Sequence, residues 1–335
     1  MIVNVTGGET KKGNQACLFA GGYATGTVFS ETAVYTTGNI STTISGGTWT
    51  SGVTAGGRGV FGGIFASKVT AEAQDVSITI NGGTFGNVYG GGWAQKGGTS
   101  IVDDVEITIA GGTIANVFGG GTHSKTEGSE GSTTQVKGNV TINVLGGSIT
   151  GEINARGLYE NDTVTGNVIV NFTGDQNFAC GVNGYGYGSG TENTATLTFD
   201  AYTGTFSGKI GGFATITLGD DTAMTLGTAA DVDNTAWTFD FTDRADTLAG
   251  TSFLTWGAES AFSGDTVQVN FTDATQAAAG WSIATADFTG ATFDLCINDA
   301  TVVANVAYDT AISGGVWDGW KFTSVDGTLK FAKIA

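Results

Sequence analysis

Apolar side chains alternate with polar ones in many short segments of this chain. The clearest are Val76–Ile80, Val105–Ile109 and Val140–Val144, in which Val or Ile fills every second position and Ser, Thr, Glu or Asn lies between. Because side chains two residues apart share one face of a β-strand, each segment predicts a strand with one buried and one exposed face. No segment shows convincing helical periodicity, and the pattern as a whole predicts an all-β protein.

The predicted strands belong to a repeated unit. Residues 76–92 and 105–121 both contain an alternating strand, a Gly-Gly turn and a second apolar strand that ends in three glycines, and the copies are offset by 29 residues. Looser copies occur at residues 3–8, 18–24, 44–53, 144–153, 168–175 and 202–210. The turn glycines recur every 28 to 39 residues and predict about seven coils: Gly7, Gly46, Gly82, Gly111, Gly146, Gly174 and Gly204.

Stacking of the repeats accounts for the alternation. A single coil cannot bury its apolar face without neighbours, so we expect Ile78 to lie over Ile107 and Ile107 over Ile142. Each Ile that becomes fully buried contributes roughly 1.5–3 kcal/mol. We expect Gly82 and Gly83 at a corner that needs positive φ and leaves no room for a side chain. The pattern therefore predicts a parallel β-solenoid.

The repeat fades after about residue 227. This divides the chain into a predicted β-solenoid over residues 1–226 and a β-rich region over 227–335 that serves as a cap or in assembly. Residues 320–334 predict a terminal hairpin, because Asp326-Gly327 separates two alternating segments. Three earlier segments of this region still alternate, at residues 237–242, 266–271 and 291–297.

The composition is typical of an extracellular surface. Hydrophobic residues make up 40% of the chain, enough for a core, whereas charged residues make up 13%, so the surface must consist mainly of Thr, Ser, Asn and Gly. Because no run of 18 apolar residues occurs, we expect no membrane span. Residues 1–5 predict a strand and not an export signal, so the expected extracellular or cell-surface location requires a signal that is not present here.

The charge balance excludes two classes of partner. The net charge is −18, from 31 acidic and 13 basic residues, and binding to nucleic acid or an anionic membrane requires Lys and Arg to replace counterions.

Cys17, Cys180 and Cys296 are far apart and odd in number, which predicts neither a disulfide framework nor a metal site. We expect them to act as small buried hydrophobic residues.

The Gly-Gly-Thr-aromatic turns, with second strands that end in Gly-Gly-Gly, resemble the passenger regions of bacterial autotransporter-like or adhesin-like surface proteins. Residues 1–226 carry most of the resemblance, and the terminal segment Gly319-Trp-Lys-Phe, followed by Asp326-Gly-Thr-Leu-Lys-Phe, is similar to the closing segment of such passengers. The resemblance implies a right-handed parallel β-helix and a surface location. It implies no activity, because lyases, tailspikes and adhesins share this fold.

His123, the one histidine, lies in the polar segment 122–138, which predicts a flexible projecting loop and a solvated histidine. Asp75 and Asp104 precede equivalent strands, and stacking would bring them within about 5 Å of one another. Such a carboxylate pair could form a retaining glycosidase site. The preferred interpretation is a polar ladder at the turns, formed with Asp103, Asn139 and Asn167.

The other candidate groups favour a structural over a functional interpretation. The acidic residues Asp220, Asp221, Asp231 and Asp233 have no calcium-loop spacing and predict a solvated acidic surface. The glycine runs at 90–92 and 181–190 precede no predicted helix, so they predict no phosphate loop. The Thr43, Thr79, Thr108 and Thr198 positions are interrupted by Glu106, Asn143 and Ile169, which argues against a flat ice-binding array. An aromatic set is expected to pack in the core, with sugar stacking as its alternative: Trp49, Tyr89, Trp93, Phe118, Tyr185 and Tyr187.

The sequence predicts no catalytic, cofactor-binding or metal-binding residue and no cofactor. It favours an extracellular structural or adhesive protein that is not an enzyme and forms a homo-oligomer or filament through its ends. The first coil begins at Val3 with an uncapped strand edge, and the hairpin at 320–334 is suited to cover or extend such an edge. The alternatives are a polysaccharide lyase or hydrolase using carboxylates with Arg58 or Arg156, and a module that binds a glycan or cell-surface ligand.

Overall fold

A computed structural model gives the fold of the chain. It describes residues 1–8, 17–26, 34–49, 59–185, 194–219, 221–227, 231–233, 236–242, 254–256, 262, 264–278, 287–325 and 328–333. These residues form two compact units. The first comprises residues 1–171, 179–196 and 211–213, and the second comprises residues 172–178, 197–210 and 214–335. Each strand is described below with the unit that holds most of its residues, and strands are numbered in chain order.

The first unit consists of parallel sheets whose neighbouring strands come from successive repeats. The largest sheet has the order β1 (Ile2–Val5), β5 (Ile40–Ile44), β10 (Val76–Ile80), β14 (Val105–Ile109), β18 (Val140–Val144) and β22 (Val168–Gly174). A second contains β2 (Leu18–Phe19), β7 (Gly59–Phe61), β11 (Thr84–Tyr89), β15 (Thr113–Phe118), β20 (Glu152–Asn154) and β23 (Gly181–Asn183), with β6 (Thr48–Trp49) beside β11 and β19 (Ser148–Ile149) beside β15.

Two smaller parallel sheets complete the first unit. The third has the order β16 (Thr122–His123), β12 (Trp93–Gln95), β8 (Phe65–Ser67) and β3 (Tyr23–Thr25). The fourth has the order β21 (Asp162–Val164), β17 (Thr133–Val136), β13 (Thr99–Val102), β9 (Thr70–Glu72) and β4 (Val34–Thr36).

The second unit is also mainly β-sheet. Its largest sheet has the order β24 (Ala195–Tyr202), β27 (Thr215–Leu218), β30 (Ala236–Asp240), β32 (Thr266–Phe271), β33 (Thr292–Ile297) and β34 (Ala300–Ala307). A second contains β25 (Thr205–Phe206), β28 (Met224–Leu226) and β31 (Leu254–Trp256). The remaining elements are the pair β26 (Lys209–Gly211) and β29 (Asp231–Asp233), the hairpin β35 (Trp320–Val325) and β36 (Thr328–Lys333), and α1 (Ala274–Ala278).

The structure confirms the all-β prediction and the strand register. Ile78 pairs with Ile107, Ile107 pairs with Ile142, and all three side chains are buried. The intervening Thr108 is half-buried and Glu106 is exposed. The prediction of positive φ at the turns holds for the second glycine of the pair, since Gly83 has φ +110° and Gly82 does not have a positive φ. Gly112 has φ +91°, and a Cβ there would lie 2.8 Å from the carbonyl oxygen of Gly83 in the preceding repeat.

The prediction that residues 122–138 form a flexible projecting loop is wrong. This segment contains β16 and β17, which extend the third and fourth sheets. Between them, the hydroxyl of Ser129 accepts a hydrogen bond from the Lys96 amide, and that of Ser132 accepts one from the Gly97 amide. Both serines are buried, so the segment packs onto the preceding repeat although its composition is typical of a solvated loop.

Among the described residues, one short segment is helical although the sequence shows no helical periodicity there. The helix α1 is a single short segment, which begins after Asp273. The Asp273 carboxylate accepts hydrogen bonds from the amides of Thr275 and Gln276, both at 2.8 Å, as expected of an N-cap residue. Five residues are too few to show helical periodicity.

Parallel pairing continues where the sequence repeat fades. β27 pairs with β30, β30 with β32 and β32 with β33, all parallel, so ladder pairing extends to Ile297. β34 then pairs antiparallel with β33. The predicted terminal hairpin is present as β35 and β36, with Val325 opposite Thr328, while Asp326 and Gly327 lie outside the described residues.

Candidate functional site

Core packing accounts for much of the aromatic set. The rings of Phe19, Phe61, Tyr89 and Phe118 stack in successive repeats, with centroid separations of 4.8, 4.6 and 4.8 Å. The expected core placement is therefore confirmed for Tyr89 and Phe118, which are buried. Trp49 and Trp93 are half-buried and Tyr185 is exposed, whereas Tyr187 lies outside the described residues.

The carboxylates of Asp75 and Asp104 belong to a ladder that runs between repeats. Asp75 Oδ1 accepts the Asp104 amide at 3.4 Å, and Asp104 Oδ1 accepts the Asn139 amide at 2.7 Å. The side-chain oxygens of Asn139 and Asn167 accept the amides of Asn167 and Thr194 in the same way, at 2.9 and 3.3 Å. The predicted polar ladder is confirmed for Asp75, Asp104, Asn139 and Asn167, because each of these side chains binds the backbone of the next repeat; these hydrogen bonds do not include the Asp103 side chain.

His123 is not a solvated loop residue, so that prediction is wrong. Its side chain is buried, with 9% exposure for the residue, because β16 lies beside β12 and the turn at 159–162 covers it. His123 Nδ1 lies 2.8 Å from Asp162 Oδ1. Toward a carboxylate, which only accepts hydrogen bonds, Nδ1 acts as the donor.

Asp162 is the centre of this buried cluster. Its Oδ1 also accepts a hydrogen bond from the Thr134 hydroxyl at 2.8 Å, and its Oδ2 accepts one from the Tyr159 amide at 3.0 Å. Burial and the Asp162 charge raise the pKa of the Tyr159 phenol, and the Lys125 ammonium lies 3.8 Å from the Tyr159 ring centroid. The cluster joins β16, β17 and the 159–162 turn, which is a structural function.

Sequence analysis missed Asp162 as the partner of His123. The two residues lie 39 positions apart and neither occupies a place in the repeated motif. The register of the fourth sheet is what brings them together, since Thr134 pairs with Asp162. A single sequence contains no signal for that register, because the segment between them interrupts the repeat.

The remaining candidates do not form a metal site among the described residues. Arg156 is buried and its Nε donates to the carbonyl of Gly184 at 3.3 Å, while desolvation lowers the pKa of its guanidinium. The described part of the chain does not include Arg58, Asp220 or the side chain of Asp231. Within the described ranges, no group of three or more His, Cys, Asp or Glu residues could hold a metal ion. The glycines at 90–92 lead into β12, a strand.

The three cysteines were expected to be small buried hydrophobic residues, and two of them match that prediction. Cys180 and Cys296 are buried, whereas Cys17 is half-buried. Burial raises the pKa of the Cys180 thiol to about 12 and also raises that of Cys296. Reactive thiolate chemistry at neutral pH is therefore disfavoured at both positions.

Exposed apolar side chains mark the outermost strands of the largest sheets. Ile2 in β1 is 79% exposed and Val302 in β34 is 49% exposed, and these two strands stand at the ends of their sheet orders. The terminal hairpin differs, because Phe322, Leu329 and Phe331 are buried and the Phe322 ring stacks on Phe293 at 4.5 Å. Its apolar face is thus covered within its own unit, and its predicted addition to a strand edge stays a prediction.

No protein-family model matches this chain, and comparison with the curated proteins and with the solved structures yields no match either. In the part of the chain that is described, no helix is long and apolar enough to cross a membrane. The evidence on function is therefore the set of strands, ladders and exposed edges described above.

Proposed function

We propose that this chain is an extracellular structural or adhesive protein that associates end to end through strand pairing at the cell surface. Residues 1–226 form a right-handed parallel β-helix of about seven coils in this proposal, and residues 227–335 form the region that serves in capping or assembly. The resemblance to adhesin-like passenger repeats supports the handedness and the location.

Regular stacking supports a structural role. Three kinds of side-chain ladder repeat from strand to strand: the buried Ile78, Ile107 and Ile142, the stacked aromatic column, and the Asp-Asn ladder at the turns. In parallel solenoids each repeat is stabilised by its neighbours. Ladders of this kind resist unstacking without any need for a ligand or a metal.

The observation that carries self-association is the exposure of uncharged apolar side chains on the outermost strands. An edge strand presents unpaired backbone donors and acceptors, and soluble proteins usually protect it with charged residues or proline. Neither Ile2–Val5 nor Ala300–Ala307 contains a charged residue or a proline. β1 is therefore suited to accept another strand, whereas the register shifts in the β33–β34 pairing give β34 some protection.

Sedimentation velocity and electron microscopy of the purified chain test this function. We expect oligomers whose size grows with concentration and elongated particles in the micrographs. Labelling of intact source cells with an antibody tests the surface location. A chain that stays monomeric at its highest soluble concentration, or that labels only after lysis, would contradict the proposal.

One observation favours the polysaccharide lyase or hydrolase alternative, a groove of about 440 Å³ whose lining includes Asp75, Asp104 and Glu106. Asp75 and Asp104 bind backbone amides, and Arg156 is buried. The glycan-binding alternative loses Tyr89 and Phe118, which are in the core. Incubation with acidic and neutral glycans remains a direct check, since sustained turnover would overturn the structural proposal.

A further inference from the structure

All four sheets of the first unit have an outermost strand in the first repeat. These strands are β1, β2, β3 and β4, with the sequences Ile-Val-Asn-Val, Leu-Phe, Tyr-Ala-Thr and Val-Tyr-Thr. None of the four contains a charged side chain or a proline, which are two of the features that protect a sheet edge from pairing with another chain. The first repeat therefore presents four uncharged strand edges at the same end of its sheets.

Large apolar side chains on these strands are exposed. Ile2 is 79% exposed, Tyr23 66% and Tyr35 49%. The Tyr23 ring stacks on Phe65 of the next repeat, with centroids 3.9 Å apart, yet two thirds of Tyr23 is exposed because β3 is last in its sheet order. Since burial of apolar surface is favourable, these side chains make the first repeat suited to an interface.

Charge is distributed unevenly along the chain. Residues 1–49 contain two acidic and two basic residues, whereas residues 210–315 contain fourteen acidic residues and one basic residue. Two copies that approach through their acidic segments bring like charges together, and two copies that approach through their first repeats do not. The first repeat is therefore a surface on which the net charge of −18 opposes contact between copies least.

The outermost strand of the second unit is a poorer partner for β1. The β33–β34 pairing shifts register between Phe293 and Leu295 and again between Leu295 and Cys296, and irregular pairing of this kind protects an edge. The apolar face of the terminal hairpin is covered, since Phe322 stacks on Phe293. The regular, uncharged strand that this chain offers to β1 is therefore β1 of a second copy.

We infer that two copies join head to head, with β1 of each paired antiparallel across a two-fold axis; this rests on the proposed self-association, and the contact closes at two copies. A two-fold contact is self-complementary, because both copies contribute the same surface. Val3 and Val5 pair with the buried Thr42 and Ile44, so pairing must keep them on the core face. Centred registers place Val3 opposite Val3 or Val5 of the other copy, and Asn4 opposite or diagonal to the second Asn4.

A pair of charge variants at Asn4 tests the two-fold contact. Asn4 is exposed, so Asn4→Lys and Asn4→Glu should both keep the fold in circular dichroism melts. In a head-to-head contact each variant alone places like charges across the paired strands, which is destabilising, whereas a mixture places opposite charges there. In sedimentation velocity we expect each variant alone to associate about fivefold more weakly than the wild type, and the mixture to associate more tightly than either variant.

Val302→Lys and Leu145→Lys are the controls. Val302 lies on β34 and is 49% exposed, and Leu145 lies outside the strands and is 48% exposed, so both variants should associate as the wild type does. Weaker association of Val302→Lys, or a mixture of the Asn4 variants that is no tighter than its components, would overturn the inference while wild-type association leaves the proposed function intact. A wild type that stays monomeric would remove both.

Discussion

At the scale of the residue, the face on which a side chain lies decides what it contributes. Ile107 and Thr108 are adjacent in β14, yet Ile107 is fully buried between Ile78 and Ile142, and Thr108 is only half-buried. A charge at the first position would lose its hydration without gaining a partner. At the second position, the same charge would keep contact with water.

We expect Ile107→Asp to lower the free energy of unfolding by more than the roughly 2–5 kcal/mol of an Ile→Ala change. Thr108→Asp should have a mild effect, within about 1 kcal/mol. Urea melts of the two variants provide the measurement. Equal losses would show that the strand does not present these faces to core and solvent.

A buried carboxylate gives a pH-dependent prediction at the same scale. Asp265 is buried in the second unit, and its Oδ2 accepts the indole N–H of Trp237 at 2.9 Å. Burial raises the pKa of Asp265 above its ordinary value, against the smaller lowering effect of the Trp237 hydrogen bond. The folded state therefore favours the protonated form. Its contribution to stability is present below the unfolded-state pKa and is lost as the pH rises through the folded-state pKa.

Asp265→Asn should remove that loss, because Asn stays neutral and its amide oxygen can still accept the indole N–H. The stability of the variant relative to wild type should rise as the pH increases from about 3 to 7. Urea melts across this range provide the measurement. Asp287→Asn is the control of opposite sign, since hydrogen bonds from Thr289 lower the pKa of Asp287. A relative stability of Asp265→Asn that is independent of pH would contradict the assignment.

At the scale of the element, the sequence predicts strands well where the repeat is regular. It predicts them poorly where packing against other repeats determines whether a segment forms a strand. β10, β14 and β18 follow directly from Val and Ile at alternate positions. β16 and β17 do not, because the polar segment that contains them is held by side-chain hydrogen bonds to the preceding repeat. β34 resembles a buried strand in sequence, and its exposure depends on tertiary structure that no local pattern encodes.

The same distinction applies to the candidate sites. The Asp-Asn ladder could be predicted, because Asp75, Asp104, Asn139 and Asn167 hold equivalent places in the repeat. The His123–Asp162 contact could not, because it joins two irregular segments. The burial of this contact, and not any pattern in the sequence, indicates that the His123–Asp162 pair stabilises the fold.

Removal of the His123 imidazole tests that function. His123→Ala takes one hydrogen-bond donor from the buried Asp162 carboxylate and should cost about 1–3 kcal/mol of stability. Glu127→Ala is the matched control, because Glu127 lies on the same segment and is exposed, so its change should stay within about 0.5 kcal/mol. Thermal melts measure both effects. Association should be unchanged in both variants, and its loss in His123→Ala would give this cluster a function beyond the fold.

At the scale of the whole molecule, net charge opposes association and edge chemistry favours it. A chain with net charge −18 repels its own copies at neutral pH. The strands β1 and β34 carry no charged side chain, so the proposed contact gains nothing from ion pairs. Strand pairing and burial of apolar side chains must therefore outweigh the electrostatic repulsion between copies. The strength of that repulsion depends on the screening length of the solution.

Added salt separates these two contributions. The screening length falls from about 10 Å at 0.1 M salt to about 3 Å at 1 M, so repulsion between copies weakens while apolar burial is retained. We therefore expect wild-type association, measured by light scattering at fixed protein concentration, to strengthen as sodium chloride rises over this range. Ile2→Lys should associate less than wild type over the same range, because a charge on the exposed edge strand β1 opposes strand pairing. Association that weakens with salt would show that ion pairs hold the copies together, which the uncharged edges β1 and β34 cannot supply.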